Sequence, residues 1–198
     1  LYYPIDDAIF TPAEKVTKET SEEVTLFANV NSVGDCRKGF NYLLMVLLNL
    51  DKILTKKVRF LCLHTESYKG YEFNNVIFEE FSFCKNVNDL VALYNKTDIF
   101  LCASIEDSSP MMLQEALLCG VPAITFDTGV GKQFIENGKQ GYVVPRYDVK
   151  SFEEKLFEMI ECKSSSIQSP KEIHDHMVKI CGKEQVKNSL NNIFELYK

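Results

Sequence analysis

The sequence lacks several features that would assign it directly to a class of proteins. It contains no Cys-x-x-Cys pair and no Gly-x-x-x-x-Gly-Lys-Ser/Thr segment, which argues against the common zinc and redox motifs and excludes a P-loop. No apolar run approaches the roughly 20 residues of a membrane span, and the amino end does not have the form of a signal peptide. Basic residues are few, with 22 Lys and Arg against 28 Asp and Glu and a net charge of -6. This balance argues against nonspecific binding to nucleic acid or to an anionic membrane surface.

The seven cysteines are an odd number, and most of them lie inside apolar runs, such as those that hold Cys62 and Cys102. Free cysteine packs as a small apolar side chain, and disulfides are rare in the cytoplasm. We therefore predict reduced thiols in the core of a cytoplasmic protein. The length of 198 residues and the 45% hydrophobic content fit one ordinary globular domain.

Short apolar runs alternate with stretches of helical periodicity along most of the chain. The runs do not alternate apolar with polar residues, which is typical of parallel strands covered on both faces. The predicted strands are 24–30, 58–63, 76–81, 99–103 and 122–126. The predicted helices are 40–53, 87–95, 111–119, 149–162, 171–180 and 183–197. This order predicts a Rossmann-like, doubly wound α/β domain with a parallel sheet.

The two ends of the chain differ from this middle part. Residues 1–21 contain Pro4, Pro12 and many polar residues, and they are predicted to be a linker that enters the domain. Residues 22–162 are the predicted Rossmann-like domain. Residues 163–198 begin with a Ser-rich surface loop, 163–170, and continue as helices.

The loop after the fourth predicted strand is the first place to look for a site, because open parallel sheets bind ligands beyond the carboxyl ends of their strands. Pro110 suits the first position of a helix, and Ser108 or Ser109 suits its amino cap. Free N–H groups at such a helix start favour phosphate. The alternative is an ordinary capped helix that faces only water.

Glu115 is the only charged residue in the apolar helix 111–119. A carboxylate in such surroundings is costly unless a hydrogen-bond donor reaches it. A pair of ligand hydroxyls, such as a ribose diol, would supply donors. The alternative is that Glu115 lies on an exposed stripe of the helix.

The stretch from Ser104 to Gly129 resembles the signature of the family 4 retaining glycosyltransferases, which have the two-domain GT-B fold. It contains two acidic residues eight positions apart, Asp107 and Glu115, followed by a small residue, Cys-Gly-x-Pro and a strand. The resemblance implies that Glu115 holds the nucleotide ribose and that Asp107 contacts the hydroxyls of the donor sugar. Because the family usually has Glu at the first position, Glu106 is kept as a second candidate beside Asp107.

The segment from Ala28 to Phe40 resembles the phosphate-binding segment of the same family. Lys38 matches the lysine that binds the diphosphate, where an ammonium can neutralise the charge of a leaving pyrophosphate. The arginine that many members carry six residues earlier is replaced by Ser32, and Arg37 is a candidate substitute. Without the neighbouring motifs, Lys38 and Arg37 would be interpreted as a solvated surface pair.

Further positions complete the predicted site. Gly129 falls where family members carry paired glycines whose backbone approaches the donor, but here the second glycine is displaced to Gly131. Met111, at the helix start, is kept as a candidate donor contact, although core packing is its simplest interpretation. His174 and His176 are assigned to a solvated helix start, so no metal site is predicted.

The resemblance runs from about Tyr3 to Tyr197 and implies the C-terminal, donor-binding half of a GT-B glycosyltransferase. The whole protein is expected to transfer a hexosyl sugar from a nucleotide diphosphate donor to an acceptor hydroxyl with retention, in glycan or polysaccharide biosynthesis, without a metal or cofactor. The expected partners are the nucleotide sugar and an amino-terminal acceptor-binding domain of the same chain, through which a cytoplasmic protein could reach the inner membrane face. The alternatives are a nucleotide-sugar-binding module without catalysis and a sugar-nucleotide epimerase of the same fold.

Overall fold

The computed structural model describes residues 2–13, 23–28, 34–62, 65–81, 84–162 and 166–195. The strands within these residues are β1 (Glu23–Ala28), β2 (Lys57–Cys62), β3 (Val76–Glu80), β4 (Ile99–Cys102), β5 (Ala123–Phe126) and β6 (Gly141–Val144). The helices are α1 (Phe40–Leu50), α2 (Val87–Lys96), α3 (Met111–Leu118), α4 (Val149–Glu161), α5 (Pro170–Cys181) and α6 (Lys183–Glu195).

The six strands in the described part of the chain form one parallel sheet in the order β3-β2-β1-β4-β5-β6. Leu26 of β1 lies beside Phe60 of β2 on one side and beside Ile99 of β4 on the other. The chain therefore winds outward in both directions from the β1–β4 pair, and doubly wound sheets bind ligands in the crevice at this switch point. The predicted Rossmann-like α/β fold is confirmed.

Helices cover both faces of the sheet, which explains why its strands are apolar on both sides. On one face, α1 and α4 pack against strand residues that include Leu26 and Phe60. On the other face, α2, α3 and α5 pack against residues that include Phe27 and Phe100. Neighbouring residues of β1 thus enter different cores, as the two-residue period of a strand requires. None of the described helices is long and apolar enough to cross a membrane.

The predicted elements are found with small shifts at their ends. The largest described shift is at α1, which was predicted to reach Ile53 and ends at Leu50, because Ile53 and Leu54 donate their N–H groups to the Leu50 carbonyl in a closing turn. Parts of four predicted elements lie outside the described residues. They are positions 29–30 and Leu63 in two strands, 196–197 in the last helix, and 163–165 in the loop.

Residues 2–13 pack against the domain. Ile5 is 4% exposed and Phe10 is 6% exposed, and both belong to the core between the sheet and α2, α3 and α5. The Ala13 N–H donates to Asn95 Oδ1 at 2.8 Å, which holds this segment on α2. The remaining residues of the predicted linker lie outside the described ranges, and the division into 1–21, 22–162 and 163–198 stays a prediction.

All seven cysteines lie in the described part of the chain, and none of them forms a disulfide there. Four of them are buried, namely Cys62, Cys102, Cys119 and Cys181. The predicted core position is wrong for Cys36 and Cys162, which are exposed. Both lie at the ends of elements, in the turn before α1 and just after α4, where the chain is at the surface.

Asp51 joins the end of α1 to the start of β3. Its carboxylate is 4% exposed and accepts hydrogen bonds from the backbone N–H groups of Asn74, Asn75 and Val76, and from the Asn74 side-chain amide. Burial opposes the ionised form, but the bonds from these N–H groups outweigh it, and the pKa of Asp51 lies below its usual value. This one side chain therefore fixes the crossover between β2 and β3.

We predict that Asp51→Asn lowers the free energy of unfolding by about 2 to 4 kcal/mol at pH 7, measured by urea denaturation, because one amide oxygen cannot replace two charged acceptors. Because the pKa of Asp51 is lower in the folded protein, its carboxylate stabilises the fold fully above the unfolded pKa of about 3.9. This stabilisation is lost as the pH falls through the folded pKa. The difference between the two proteins should shrink in acid. Asp175→Asn, at an exposed i,i+4 pair with Lys171, is the control, and an equal loss in both variants would contradict the prediction.

Candidate functional site

The turn before α1 is shaped by Asp35 and Gly39. The Asp35 carboxylate accepts from the Arg37 N–H at 3.1 Å and so caps the short 3-10 turn Cys36–Lys38. Gly39 has φ +73°, and a Cβ there would lie 1.8 Å from the carbonyl oxygen of Ala103, at the end of β4. Only glycine permits this approach. The turn is thereby pressed onto the loop that follows β4, where the Ile105 N–H donates to the Arg37 carbonyl at 2.9 Å.

Lys38 and Asp107 meet across these two loops. Lys38 Nζ lies 2.8 Å from Asp107 Oδ2, and the two side chains are 32% and 16% exposed. The other carboxylate oxygen, Oδ1, accepts from the Ser109 N–H at 3.2 Å. The structure thus brings together the predicted diphosphate lysine and the predicted sugar-binding acid at the switch point of the sheet.

Arg37 and Glu106 are less closely integrated into the site. The Arg37 guanidinium pairs with Asp35 at 2.9 Å, its side chain is 63% exposed, and the hydrogen bond to Asp35 raises its pKa. Glu106 is exposed. Of the two acidic candidates, only Asp107 contacts Lys38.

The start of α3 differs from the prediction. Pro110 is the amino-cap residue instead of the first helical residue, and no side chain among the described residues caps the helix. The predicted serine cap is wrong. The Ser109 hydroxyl accepts a hydrogen bond from Gln114 Nε2 at 3.0 Å, its N–H donates to Asp107, and Ser108 is exposed. The third and fourth N–H groups of α3 donate to the Pro110 carbonyl, so within the described chain only the first two have no partner.

Glu115 is half-buried, so the alternative of an exposed stripe is wrong. The Tyr94 hydroxyl donates to Glu115 Oε2 at 2.8 Å, and Tyr94 itself is fully buried beside Phe27 and Phe100. Burial raises the pKa of Glu115, and the hydrogen bond from Tyr94 only partly offsets it. No other group in the described chain bonds to this carboxylate, so Oε1 remains able to accept.

Gly129 fixes the loop that carries Asp107. It has φ +55°, and a Cβ there would lie 2.1 Å from the Asp107 carbonyl oxygen and 2.5 Å from that of Ser108. The next residue, Val130, donates its N–H to the Ser108 carbonyl at 3.2 Å. The described contacts of Gly129 are thus with the chain's own loop, and its predicted approach to the donor stays a prediction.

Two softer interpretations are corrected by the structure. Met111, the first residue of α3, is 48% exposed, so the interpretation that it packs in the core is wrong. His174 and His176 do not form a solvated face. Their ring nitrogens lie within hydrogen-bond distance of the carbonyls of Leu118 and Phe134. Within the described ranges, no three His, Cys, Asp or Glu side chains are placed to hold a metal ion.

A cleft of about 220 Å³ adjoins the turn that carries Lys38. It is lined by Cys36, Gly39, Phe40, Asn41, Tyr42, Met45 and Ile105. Pockets that enclose a small molecule usually measure roughly 300 to 1,000 Å³. This part of the crevice could therefore hold only a portion of a nucleotide sugar.

Sequence reasoning missed Tyr94 and Gln114. Neither is among the predicted site residues, and the bond from Tyr94 to Glu115 links positions 21 apart on two different helices. Gln114 is fully buried and bonds to Ser109. The sequence did contain a signal for Gln114, because it is a second polar residue, next to Glu115, in an otherwise apolar helix.

The fold and the site define a doubly wound α/β domain with a ligand crevice at its switch point. The family described as "Glycosyl transferases group 1" matches residues 74–179, which is more than half of the chain. The chain therefore belongs to this family. The matched residues include Asp107, Glu115 and Gly129, whereas Lys38 precedes them.

A stretch of 68 residues is 35% identical to the UDP-N-acetylglucosamine–peptide N-acetylglucosaminyltransferase GtfA subunit of Streptococcus pneumoniae, covering 34% of this chain and 14% of that protein. A solved glycosyltransferase from Rickettsia africae has a TM-score of 0.72 at 16% identity, covering 99% of this chain and 56% of that one. Anabaena HepE in complex with UDP-glucose has a TM-score of 0.65 at 14% identity, covering 96% and 56%. These two structures show the fold, and the chain spans about half the length of each.

We predict that Glu115→Gln leaves the protein folded and makes it at least as stable as the wild type at pH 7, because the amide oxygen still accepts from Tyr94 without a buried charge. Since the folded pKa of Glu115 is raised, the stability of the wild type relative to the variant is highest below the unfolded pKa of about 4.3. This advantage of the wild type over the variant is lost as the pH rises through the pKa of Glu115 in the folded protein. Thermal unfolding between pH 4 and pH 8 measures this difference.

Glu158→Gln is the matched control, because Glu158 also accepts from a tyrosine hydroxyl, that of Tyr142, at 2.8 Å. The hydrogen bond from Lys155 lowers the pKa of Glu158, so its variant should lose stability at neutral pH. The same sign of change in both variants would contradict the assignment of Glu115 as a buried carboxylate.

Proposed function

We propose that this chain binds the nucleotide diphosphate sugar of a family 4 retaining glycosyltransferase. The whole protein would transfer a hexosyl group to an acceptor hydroxyl in glycan or polysaccharide biosynthesis. Membership of the glycosyl transferases group 1 family supports the proposal. The observation that carries it is the meeting of Lys38 and Asp107 beside the uncapped start of α3.

The diphosphate would lie between Lys38 and the amino end of α3. An ammonium and free backbone N–H groups both favour an anion, and they would stabilise the pyrophosphate as its charge develops on leaving. The net charge of -6 makes such a local arrangement necessary, because the protein as a whole repels anions. In this scheme the chain requires no metal ion to neutralise the leaving group.

The ribose and the sugar would be held by the two carboxylates. Glu115 Oε1 makes no hydrogen bond with any described group, and it could accept from a ribose hydroxyl in a half-buried setting where such bonds are strong. Asp107 lies next to Lys38 and could accept from hydroxyls of the donor sugar. Glu106 is a weaker candidate for this role because it does not contact Lys38.

The names of similar proteins suggest which donors to test first. The GtfA subunit is named for transfer from UDP-N-acetylglucosamine, and HepE was solved with UDP-glucose. We therefore propose uridine diphosphate sugars as the first ligands. Because the cleft near Lys38 is small, the acceptor side of the reaction would be formed by an amino-terminal domain of the whole protein.

We predict different ligand signatures for Lys38→Ala and Glu115→Gln. Lys38→Ala should weaken binding of uridine diphosphate far more than binding of uridine, since an ammonium recognises phosphate. Glu115→Gln should weaken both ligands by similar amounts, about 1.5 to 3 kcal/mol, because ribose hydroxyls are common to both. Isothermal titration calorimetry with uridine and uridine diphosphate measures these changes, with adenosine and guanosine pairs included in case the base differs.

Lys139→Ala serves as the charge control, because Lys139 forms a surface ion pair with Glu136 shortly before β6, an edge strand, whereas the site follows the central strands β1 and β4. It should leave both affinities unchanged. Equal losses for Lys38→Ala and Lys139→Ala would show a general effect of charge and would remove Lys38 from the site. Unchanged affinity in Glu115→Gln would remove Glu115 from it.

A binding module without catalysis is the second candidate, and one observation favours it. Both cations of the turn before α1 are already paired with carboxylates, Arg37 with Asp35 and Lys38 with Asp107. The full-length protein, incubated with the donor that binds, distinguishes the alternatives. Transfer with a retained anomeric configuration, followed by NMR, supports the transferase, whereas conversion of the nucleotide sugar without acceptor indicates an epimerase. Donor binding without either reaction indicates a module.

A further inference from the structure

Gln114 is a fully buried side chain with only half of its amide satisfied. Its Nε2 donates to Ser109 Oγ at 3.0 Å, and its Oε1 makes no hydrogen bond with any group of the described chain. A buried acceptor without a donor destabilises the folded protein, and an apolar side chain of similar shape would avoid this penalty. Packing alone therefore does not account for a glutamine at this position.

A second buried glutamine provides an internal comparison. Gln140, 1% exposed, donates from Nε2 to Gln168 and accepts at Oε1 from the Glu136 N–H. Both ends of that amide are used, as is usual for buried polar groups. Gln114 differs from Gln140 in that its single bond is made to a residue of the candidate site.

The bond from Gln114 determines what the Ser109 hydroxyl can do. A hydroxyl has one hydrogen and two lone pairs, and here one lone pair is occupied by the amide N–H. The Ser109 hydrogen must then point away from Gln114. No described group accepts from Ser109 Oγ. The Asp107 carboxylate accepts from the Ser109 N–H and so holds the Ser109 backbone, which fixes the position from which the hydroxyl can donate.

We propose that Gln114 is a positioning residue that turns the Ser109 hydroxyl into a hydrogen-bond donor for the diphosphate of the ligand. The inference rests on the proposed function. Ser109 immediately precedes Pro110, the cap of α3, so along the chain it is close to the first two N–H groups of the helix, which have no partner in the described chain. With Lys38 bound to Asp107 in the same crevice, these groups are all donors, and a phosphate oxygen is the acceptor that they share.

The test compares Gln114→Met with the wild type, since methionine keeps the length of the side chain and removes both polar atoms. The free energy of unfolding should stay the same or rise, because the unsatisfied oxygen is gone. Affinity for uridine diphosphate should fall about 3- to 10-fold, the equivalent of one hydrogen bond. Affinity for uridine should not change. A purely structural residue would not separate stability from phosphate binding in this way.

Ser109→Ala should produce the same selective loss, and the double variant should lose no more than either single variant. Ser109→Thr keeps the hydroxyl and should restore most of the binding. Gln140→Met is the matched control. It removes a buried glutamine whose amide is fully satisfied, so it should lower stability and leave both affinities unchanged.

The outcomes separate the inference from the proposed function. If the wild type binds no nucleoside diphosphate in the uridine, adenosine and guanosine series, both fail. If Lys38→Ala weakens diphosphate binding and Gln114→Met does not, the site stands and the positioning role is wrong. If Gln114→Met weakens nucleoside and diphosphate equally, or lowers stability as Gln140→Met does, Gln114 is structural and the inference is overturned.

Discussion

The candidate site depends on the close approach of two loops, the turn before α1 and the loop after β4. Parallel pairing of β1 with β4 brings the carboxyl ends of these strands side by side, but pairing alone leaves room between the loops that follow. Gly39 removes that room, since any side chain there would collide with the Ala103 carbonyl. Once the loops touch, a lysine and an aspartate 69 positions apart come within hydrogen-bond distance. The chemistry of the crevice is thus a consequence of a steric property of one glycine.

Lys38 and Asp107 form an ion pair with each other within the chain. The Lys38–Asp107 pair is partly exposed, and such pairs contribute little to stability, typically up to about 1 kcal/mol. A weak pair can be exchanged at small cost when a diphosphate offers Lys38 two or more anionic oxygens. Asp107 would then be free to accept from hydroxyls next to the phosphate. A weak Lys38–Asp107 pair is compatible with tight binding of an anion by Lys38, because the penalty of breaking the pair is small.

The sequence predicted those features that depend on local pattern. Apolar runs without alternation gave the parallel sheet, and the motif around Asp107 and Glu115 led to the family. It failed where two local preferences compete. Ser108 and Ser109 are good amino caps, yet the Asp107 carboxylate takes the Ser109 N–H, and the helix starts one residue later with Pro110 as its cap. It also could not find Tyr94, because a bond between two helices depends on how they pack.

The two polar residues of α3 show how a buried helix can serve a surface crevice. Gln114 and Glu115 are adjacent, so on a helix they project about 100° apart and reach different surroundings. Gln114 extends to the loop before the helix, whereas Glu115 extends to Tyr94 of α2, on the same face of the sheet as α3. Gln114 Oε1 is buried without a partner in the described chain, and burial of Glu115 opposes its ionised form, costs that an apolar helix would not have. Proteins tolerate such costs where a site requires fixed donors and acceptors, since rigid packing holds a polar atom in place more accurately than a mobile loop does. The helix α3 therefore combines two roles: its leucines close the core, and its two polar residues hold Ser109 in the preceding loop and accept from Tyr94.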